Sequence, residues 1–381
     1  MRVAYNGLFL TRPFTGTGQY TRQFLTAMAG VMKDAELVVF VPERISAELP
    51  KSVRVQVLSP SRGWLGRGLA LDRWETTDIG DALGDTGVDL YHTTYPTPPV
   101  STAVPTVMTV HDMIPWQFPQ YRQGARRRIK LGRILRGIQA ADHLCTVSEA
   151  SKHAINRLTV VAPERVTVTY DGLDAAYFKS AAYQRVRKTK DSFGLERPFI
   201  LYLGGYDYRK NIRVLIEGFS RSGLADTHDL VLAGALTAPA TKLYADFATL
   251  PKLVREAGIE HAVRRTGFVD EAEKHALLTG ADAFAYPSLA EGFGLPILEA
   301  LGVGTPVVAA ATPVNTELFG RTIQTFEPDK VDLLAKELHG AATKPSAARK
   351  KAGRALAKKF TWDRVAERTA TAYDRVLKAR P

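Results

Sequence analysis

Short apolar runs alternate with longer amphipathic segments along the whole chain. In the first half, β-branched and apolar runs predict strands at residues 2–5, 36–41, 54–58, 90–92, 106–110, 143–147 and 165–169. Between some of them, residues 19–32 and 124–140 carry the spacing of apolar positions that is typical of helices. Strands that alternate with helices predict a mostly parallel, doubly wound sheet.

The alternation stops at a polar, basic stretch over residues 179–190, which we interpret as a linker, and then restarts. Further strands are predicted at residues 199–203, 230–233, 263–266, 283–286 and 305–309. A length of 381 residues suits two α/β domains of ~150–200 residues each. We therefore predict an α/β protein with one Rossmann-like domain over residues 1–178 and a second over residues 179–361.

Composition narrows the class of protein. The chain is 45% hydrophobic and 24% charged, as is usual for a globular protein. It has no apolar run near the ~18–20 residues that span a bilayer, and its first residues predict a strand and not a signal peptide. The single cysteine, Cys145, excludes an intramolecular disulfide and a thiolate metal cluster. These features predict a cytoplasmic protein.

The net charge of +12 is concentrated in two places. Residues 344–381 hold 12 Lys and Arg against 3 Asp and Glu, and Arg122–Arg136 holds seven cations and no acid. Such patches attract nucleic acid, anionic lipid or phosphate-bearing small molecules. The cations are not interleaved with aromatic stacking residues, so binding to nucleic acid is not predicted.

The stretch Arg122–Arg136 has two interpretations. Its cations are interspersed with the apolar residues Ile129, Ile134 and Leu135, and Ile138 follows just after the stretch. This pattern suits a helix that lies on an anionic membrane surface, which would make the protein a peripheral one. It suits equally a helix that packs on its sheet and exposes a basic face.

The segment at 286–301 combines a strand end, glycines and a helix start. Gly292 and Gly294 permit unusual backbone angles and a close approach of ligand to main chain. Pro296 suits the first turn of a helix, which we predict over residues 295–302. A helix N-terminus behind a glycine loop is an anion site suited to a diphosphate.

The same segment carries two carboxylates. Glu291 lies in the loop and Glu299 one turn inside the predicted helix, so both can face one ligand. Carboxylates accept hydrogen bonds from hydroxyl pairs, such as those of a hexose or a ribose. The alternative is an ordinary strand–loop–helix connection with solvated acids.

Two cations follow the strand predicted at 199–203. After Gly204 and Gly205 come Arg209 and Lys210, just before a helical pattern. Arg grips phosphate through a bidentate fork and Lys supplies a compact charge. This placement favours a role in holding a leaving diphosphate over a solvated helix start.

The N-terminal half offers two further candidates. Gly16 and Gly18 follow the first strand but lack the third glycine of a dinucleotide fingerprint, so we predict a flexible loop there and not a nicotinamide site. His111 and Asp112 stand at the carboxyl end of the strand at 106–110, where ligands bind in doubly wound sheets.

Together these segments resemble the retaining glycosyltransferase family 4. The resemblance covers nearly the whole chain and is carried by GTGQYT at 16–21, HD at 111–112, TVSE at 146–149, DGLD at 171–174, RKN at 209–211 and EGFGLPILEA at 291–300. It implies a GT-B fold, in which two Rossmann-like domains face across a cleft, an activated nucleotide-sugar donor, and transfer with retention of configuration. It also implies that a C-terminal helix at about 362–381 packs back on the N-terminal domain.

The resemblance assigns roles in the donor site. Glu291 would contact the donor hexose and Glu299 the ribose. The groups that line the sugar and diphosphate would be the backbone of Gly292, Phe293, Gly294 and Leu295, with Gly205 on the facing loop. The family usually has Asn at the position of Asp171, so this chain departs from the pattern there.

The resemblance also assigns roles around the donor. Arg209 and Lys210 would hold the phosphates, His111 would lie near the sugar's 6-position, and Gly16 and Gly18 would lie close to the diphosphate or the acceptor. Because the chain has no Asp-x-Asp triplet, we expect neither a metal nor a cofactor besides the nucleotide-sugar.

The region after His111 resembles bacterial mannosyltransferases of surface polysaccharide synthesis, which favours GDP-mannose over UDP- and other donors. The acceptor would be a glycan or a lipid-linked glycan, which would attack the front face of the donor sugar. Three alternatives remain: a nucleotide-sugar epimerase of the same fold, a phosphorylase of that fold, and a basic protein that binds nucleic acid.

Overall fold

The computed structural model describes residues 1–61, 66–234 and 245–379. The chain forms two compact units, one of Met1–Gly172 with Thr361–Pro381 and one of Leu173–Phe360. Each unit is built on a parallel sheet with helices in its connections, so the predicted α/β class with two doubly wound sheets is confirmed.

The first unit contains a seven-stranded sheet in the order β3-β2-β1-β4-β5-β6-β7. Its strands are β1 (Arg2–Asn6), β2 (Glu36–Val41), β3 (Val53–Val57), β4 (Leu90–Thr93), β5 (Thr106–Val110), β6 (His143–Thr146) and β7 (Val166–Val168). Its helices are α1 (Gly16–Val31), α2 (Arg67–Arg73), α3 (Ile79–Thr86), α4 (Ile114–Gln117), α5 (Ala125–Ala140) and α6 (Glu149–Leu158). The central strands are buried on both faces, which explains their unbroken apolar runs.

The second unit contains a six-stranded sheet in the order β10-β9-β8-β11-β12-β13. Its strands are β8 (Phe199–Leu203), β9 (Asp229–Ala233), β10 (Val263–Gly267), β11 (Ala283–Tyr286), β12 (Val307–Ala310) and β13 (Gln324–Phe326). Its helices are α7 (Tyr183–Ser192), α8 (Ile212–Arg221), α9 (Ala245–Glu256), α10 (Glu271–Gly280), α11 (Leu295–Val303), α12 (Pro313–Phe319), α13 (Val331–Thr343) and α14 (Ala347–Ala357). Both sheets follow the Rossmann strand order, whose direction reverses between the first and fourth strands of each sheet.

The last helix, α15 (Trp362–Lys378), returns to the first unit. It packs against α1, and Val365, Ala366 and Tyr373 are buried in the core beneath β1 and β2. The hydroxyl of Tyr373 lies 2.5 Å from Nδ1 of the buried His92 on β4.

The structure corrects two local predictions. The stretch at 179–190 is not a linker, because most of it belongs to α7, where Val186 packs against Gly280 of α10. The predicted flexible loop around Gly16 is the first turn of α1, where the hydroxyl of Thr15 accepts from the backbone N–H of Gly18. Within the described residues, none of the helices is long and apolar enough to span a membrane.

Candidate active site

The two segments singled out in the second unit meet at the point where its strand order reverses. The loop that holds Arg209 follows β8, and the loop that holds Glu291 follows the neighbouring strand β11. The backbone N–H of Leu289 donates to the carbonyl of Arg209 at 2.7 Å, which joins the two loops directly. In open parallel sheets, ligands bind at this position beyond the carboxyl ends of the strands.

Two cations converge on one carboxylate oxygen. Nζ of Lys210 lies 2.7 Å from Oε1 of Glu291, and Nη1 of Arg209 lies 2.5 Å from the same atom. Arg209 is held on its other side by Asp207, at 3.3 Å from Nε, and donates to the carbonyl of Ala290 at 3.2 Å. The three predicted residues Arg209, Lys210 and Glu291 therefore form one cluster.

Burial and pairing set the charges of this cluster. Burial by itself would raise the pKa of Glu291, but the ammonium of Lys210 and the guanidinium of Arg209 outweigh it and hold that pKa at about 2. Burial and the charge of Arg209 lower the pKa of Lys210, against the pull of Glu291. The carboxylate of Glu291 is ionised at neutral pH, and it shares the two cations with the carboxylate of Asp207.

The local backbone explains how the lysine reaches this position. Tyr208–Lys210 is a single 3-10 turn, and Asn211 after it takes a left-handed conformation with φ of 53°, which Asn tolerates better than most residues. Nδ2 of Asn211 donates to the carbonyl of Pro328 at 3.0 Å, which fixes the turn. Nζ of Lys210 lies 5.1 Å from the centre of the Tyr286 ring, a cation–π distance.

The glycine loop leads into α11 as predicted. Gly294 has φ of 101°, a conformation that side chains rarely adopt, and no side chain caps the start of the helix there. Gly292 is buried. The ring of Phe293 packs edge-on against Phe319 and Phe360, so only its backbone is left to contact a ligand. Leu295 is the half-buried first residue of α11, and the uncapped N-terminus carries the positive end of the helix dipole.

The two glycines that follow β8, Gly204 and Gly205, are arranged differently from those before α11. Gly204 has φ of 149°, and its carbonyl oxygen lies against Gly234, where a Cβ atom would be 1.9 Å away. Gly205 is exposed, and its carbonyl accepts from the hydroxyl of Tyr202 at 2.5 Å. This hydrogen bond from Tyr202 fixes the position of the loop after β8, and with it the position of the backbone N–H of Gly205.

Glu299 lies in a separate ion pair. Its Oε1 atom is 2.7 Å from Nζ of Lys274 on α10, and Lys274 also contacts Glu271 at 3.0 Å. The side chain of Glu299 is buried, which raises its pKa, while Lys274 lowers it. The structure thus places Glu291 and Glu299 against different cations.

His111 is in the first unit and carries a defined tautomer. Its Nε2 atom lies 2.9 Å from the carbonyl oxygen of Thr94, which can only accept, so Nε2 bears the proton. Burial lowers the pKa of His111 to about 4, so the ring is neutral at pH 7 with a lone pair on Nδ1. Tyr20 packs edge-on against it at 4.5 Å between ring centres. The neighbouring Asp112 accepts from the N–H of Ile114, the first residue of α4.

The two N-terminal glycines differ in their surroundings. Gly16 is exposed at the first position of α1. Gly18 is buried, and a Cβ atom there would lie 2.3 Å from the carbonyl oxygen of Arg12. Gly18 is therefore required by packing, whatever it does for a ligand.

The basic stretch at Arg122–Arg136 is partly explained by packing. Ile138 on α5 is fully buried, and Ile134 and Leu135 pack against the same core. Only Ile129, 65% exposed, projects from this helix among the four apolar residues that suggested a membrane face. The predicted lipid-facing surface therefore shrinks to the first turns of α5.

Two charged residues of these clusters, Asp207 and Lys274, were not predicted, and Asn211 was named only as part of the RKN segment. Asp207 and Asn211 flank the two cations in the sequence, so their positions could have suggested that they support the site. Lys274 contacts Glu299 across 25 positions, and nothing in its local pattern pointed to that contact. Within the described residues, no group of three or more His, Cys, Asp or Glu side chains is arranged to hold a metal ion.

Two family models match the chain, one in each half. Residues 14–177 match "Glycosyltransferase Family 4" and residues 185–358 match "Glycosyl transferases group 1". The cluster of Arg209, Lys210 and Glu291 falls inside the second match, and His111 inside the first.

Among curated proteins, the chain is 27% identical over 271 residues to O-antigen chain mannosyltransferase B of Escherichia coli, covering 70% of this chain and 69% of that protein. It is 27% identical over 282 residues to the serotype-specific mannosyltransferase WbdA of the same species, but the alignment spans only 34% of that longer protein. It is 31% identical over 278 residues to a glycogen synthase of Mycobacterium tuberculosis, covering 71% of this chain and 63% of that protein.

Solved structures share the fold. Sucrose-phosphate synthase from Thermosynechococcus elongatus matches with a TM-score of 0.78 at 20% identity over 100% of both chains. HepE from Anabaena, solved in complex with UDP, matches with a TM-score of 0.72 at 20% identity over 98% of this chain and 100% of that chain. The chain therefore has the GT-B fold and belongs to the glycosyltransferases that combine a family 4 domain with a group 1 domain.

Proposed function

We propose that this glycosyltransferase is a retaining, metal-independent enzyme that transfers mannose from GDP-mannose to a glycan or a lipid-linked glycan. The observation that carries the proposal is the cluster of Arg209, Lys210 and Glu291 at the strand reversal of the second unit. The mannosyltransferase names of several relatives support the choice of sugar.

In this proposal each group of the cluster has one task. Arg209 and Lys210 bind the diphosphate, together with the uncapped start of α11 behind Gly292 and Gly294. Glu291 accepts hydrogen bonds from the hydroxyls of the hexose, a task that its low pKa suits because an ionised carboxylate is a strong acceptor.

The remaining predicted residues complete the substrate contacts. The backbone of Phe293, Leu295 and Gly205 lines the diphosphate and sugar. Glu299 binds the ribose, and neutral His111 accepts a hydrogen bond at Nδ1 from a hydroxyl of the sugar. Gly16 contributes the exposed N-terminus of α1 to the acceptor or the diphosphate.

The proposed transfer is a front-face attack. The bond between the anomeric carbon and the diphosphate oxygen breaks, and the acceptor oxygen bonds to the same carbon on the same face. The acceptor's proton passes to the departing phosphate oxygen, whose charge Arg209 and Lys210 stabilise. A covalent glycosyl–enzyme would need a carboxylate beneath the anomeric carbon, whereas Glu291 is assigned here to the sugar hydroxyls.

A variant at Glu291 tests the assignment. Glu291→Gln keeps the shape but removes the charge, so we expect turnover to fall by about 100-fold or more with a modest change in nucleoside diphosphate affinity. Glu256→Gln, an exposed residue of α9 in the same unit, is the matched control and should behave as wild type. Near-wild-type turnover of Glu291→Gln would show that the site is assigned wrongly.

A donor screen tests the sugar and the base. Thermal shifts with GDP-mannose, UDP-glucose, ADP-glucose and TDP-glucose should be largest for GDP-mannose. A glucosyltransferase is the second candidate, because the glycogen synthase relative is 31% identical, and a larger shift with ADP- or UDP-glucose would select it. Proton NMR of the first-formed product should show the anomeric configuration of the donor, and the opposite configuration would refute retention.

We also propose that the first turns of α5 contact an anionic membrane surface. Arg126, Arg128 and Ile129 are exposed there, whereas Lys130 and Arg133 contact Asp72. The protein should co-sediment with phosphatidylglycerol vesicles at low salt, and an Arg126→Gln, Arg128→Gln double variant should bind less. If equal amounts of protein co-sediment with zwitterionic vesicles, the proposed contact with an anionic membrane surface is refuted.

A further inference from the structure

The ion pair of Glu299 and Lys274 lies apart from the cluster that binds the diphosphate. Glu299 is only 8% exposed, and its Oε1 atom receives the Lys274 ammonium at 2.7 Å. Its other oxygen, Oε2, is buried and has no hydrogen-bond partner among the described residues. A buried carboxylate oxygen without a donor is costly, so this arrangement is one that a donor from a ligand would stabilise.

Lys274 is itself fixed on several sides. Its ammonium contacts Glu271 at 3.0 Å and lies 5.3 Å from the centre of the Tyr177 ring. The hydroxyl of Tyr177 donates to the same Glu271 carboxylate at 3.1 Å. Besides its ion pair with Glu299, the lysine therefore contacts the Glu271 carboxylate and the Tyr177 ring, and these contacts restrict its movement.

We infer that Lys274 is the positioning residue of the ribose-binding carboxylate: it fixes Oε1 of Glu299 and so leaves Oε2 to accept from the hydroxyl pair of the ribose. The inference rests on the proposed function, in which Glu299 binds the ribose of the donor. It adds a second residue, on a different helix, to the recognition of the nucleotide. Lys274 acts only through Glu299.

Electrostatics give the lysine a second effect on the same carboxylate. Burial raises the pKa of Glu299, and the charges of Glu271 and Asp174 act in the same direction, while Lys274 opposes them. Without the ammonium, Glu299 would take up a proton more readily. A protonated carboxyl accepts hydrogen bonds from hydroxyl groups less well than a carboxylate does.

The test compares ribose with deoxyribose. The probes are GDP and 2′-deoxy-GDP, measured by calorimetry, with the UDP pair in their place if the donor screen selects uridine. Wild type should prefer the ribonucleotide by about 10-fold or more, the usual value of a hydrogen bond to a charged group. Glu299→Gln should lose most of this preference.

Lys274→Met should lose the preference as well, although it does not touch the nucleotide. Its KM for the donor should rise by about 10-fold while kcat changes little, because ground state and transition state lose the same contact. Its GDP affinity should also fall more steeply than that of wild type below neutral pH. Lys274→Arg, which restores a cation, should recover the preference in part.

The matched control is Lys252→Met, which removes an exposed lysine that pairs with Glu256 at 3.5 Å on α9. It should leave the ribose preference unchanged. If Lys274→Met does not fold by circular dichroism, Lys274→Gln is measured in its place with the same expected loss, since it too lacks the charge.

The outcomes separate the inference from the function on which it rests. A protein that binds no nucleoside diphosphate refutes the proposed function and the inference with it. A wild type that binds GDP but does not prefer ribose refutes the role of Glu299. A neutral Lys274 variant that keeps the full preference, while Glu299→Gln loses it, overturns the inference and leaves the proposed function intact.

Discussion

Asp171 is a buried acid without a salt-bridge partner among the described residues, and its replacement by Asn should change how stability depends on pH. The residue follows β7, is 5% exposed, and its Oδ1 atom has no hydrogen-bond partner among the described residues. Burial raises its pKa from the usual 3.8 to about 8. At neutral pH the folded protein therefore keeps this carboxyl mostly protonated, whereas the unfolded chain ionises it.

The sign and size follow from proton binding. Between about pH 4 and pH 8 the folded state binds a proton at Asp171 that the unfolded state does not bind, so stability falls as pH rises. The contribution of Asp171 to stability is complete below its pKa in the unfolded chain, and it is lost as the pH rises to its pKa in the folded protein. The slope is about 1.4 kcal/mol per pH unit for one group, or about 3 kcal/mol between pH 5 and pH 7.

Asp171→Asn should remove this slope, because the amide does not ionise. The free energy of unfolding of the variant, relative to wild type, should rise by about 3 kcal/mol from pH 5 to pH 7. Denaturant melts followed by tryptophan fluorescence at several pH values measure this difference. Asp85→Asn, which removes an exposed carboxylate of α3, is the control. Parallel pH profiles for wild type and Asp171→Asn would refute the reasoning.

Three further predictions concern single contacts. Lys210→Met removes the ammonium that lowers the pKa of Glu291, so activity should be lost at a higher pH on the acid side, and an unshifted pH–rate profile would contradict this. Gly172→Ala places a Cβ atom 2.5 Å from the backbone nitrogen of Trp362 and should cost about 1–3 kcal/mol in a denaturant melt, whereas unchanged stability would argue against the packing. Cys145 is buried and its thiol pKa is raised to about 12, so Ellman's reagent at pH 8 should label the thiol only after unfolding, and rapid labelling of the native protein would contradict its burial.

The strands were predictable because burial on both faces leaves an unbroken apolar run. Phe199–Leu203 and Ala283–Tyr286 have the predicted bounds, and their residues are all buried. Among the elements that the pattern did not predict, two lack a long apolar run. Helix α7 presents Val186 to α10 from a run of polar and charged residues, so no apolar period marks it, and β13 spans only the three residues Gln324–Phe326.

The convergence of Arg209 and Lys210 with Glu291 was predictable in part. Each side chain follows a strand of one parallel sheet, and the carboxyl ends of neighbouring strands lie at the same edge. The sequence did not reveal that β8 and β11 are neighbours, since that depends on strand order. It revealed still less of Lys274, because its contact with Glu299 arises from the packing of α10 on α11.

The two carboxylates of one nine-residue segment end up in opposite electrostatic environments. Two cations hold the pKa of Glu291 at about 2, whereas Glu299 has one ammonium against its burial, and its pKa is raised. The ionisation of Glu291 therefore tolerates the loss of either cation better than that of Glu299 tolerates the loss of Lys274. A screen of charge-removing variants should accordingly find pH-sensitive nucleotide binding when Lys274 on α10 is replaced. Variants of Arg209 and Lys210 in the loop after β8 should shift the pH dependence of turnover only on the acid side.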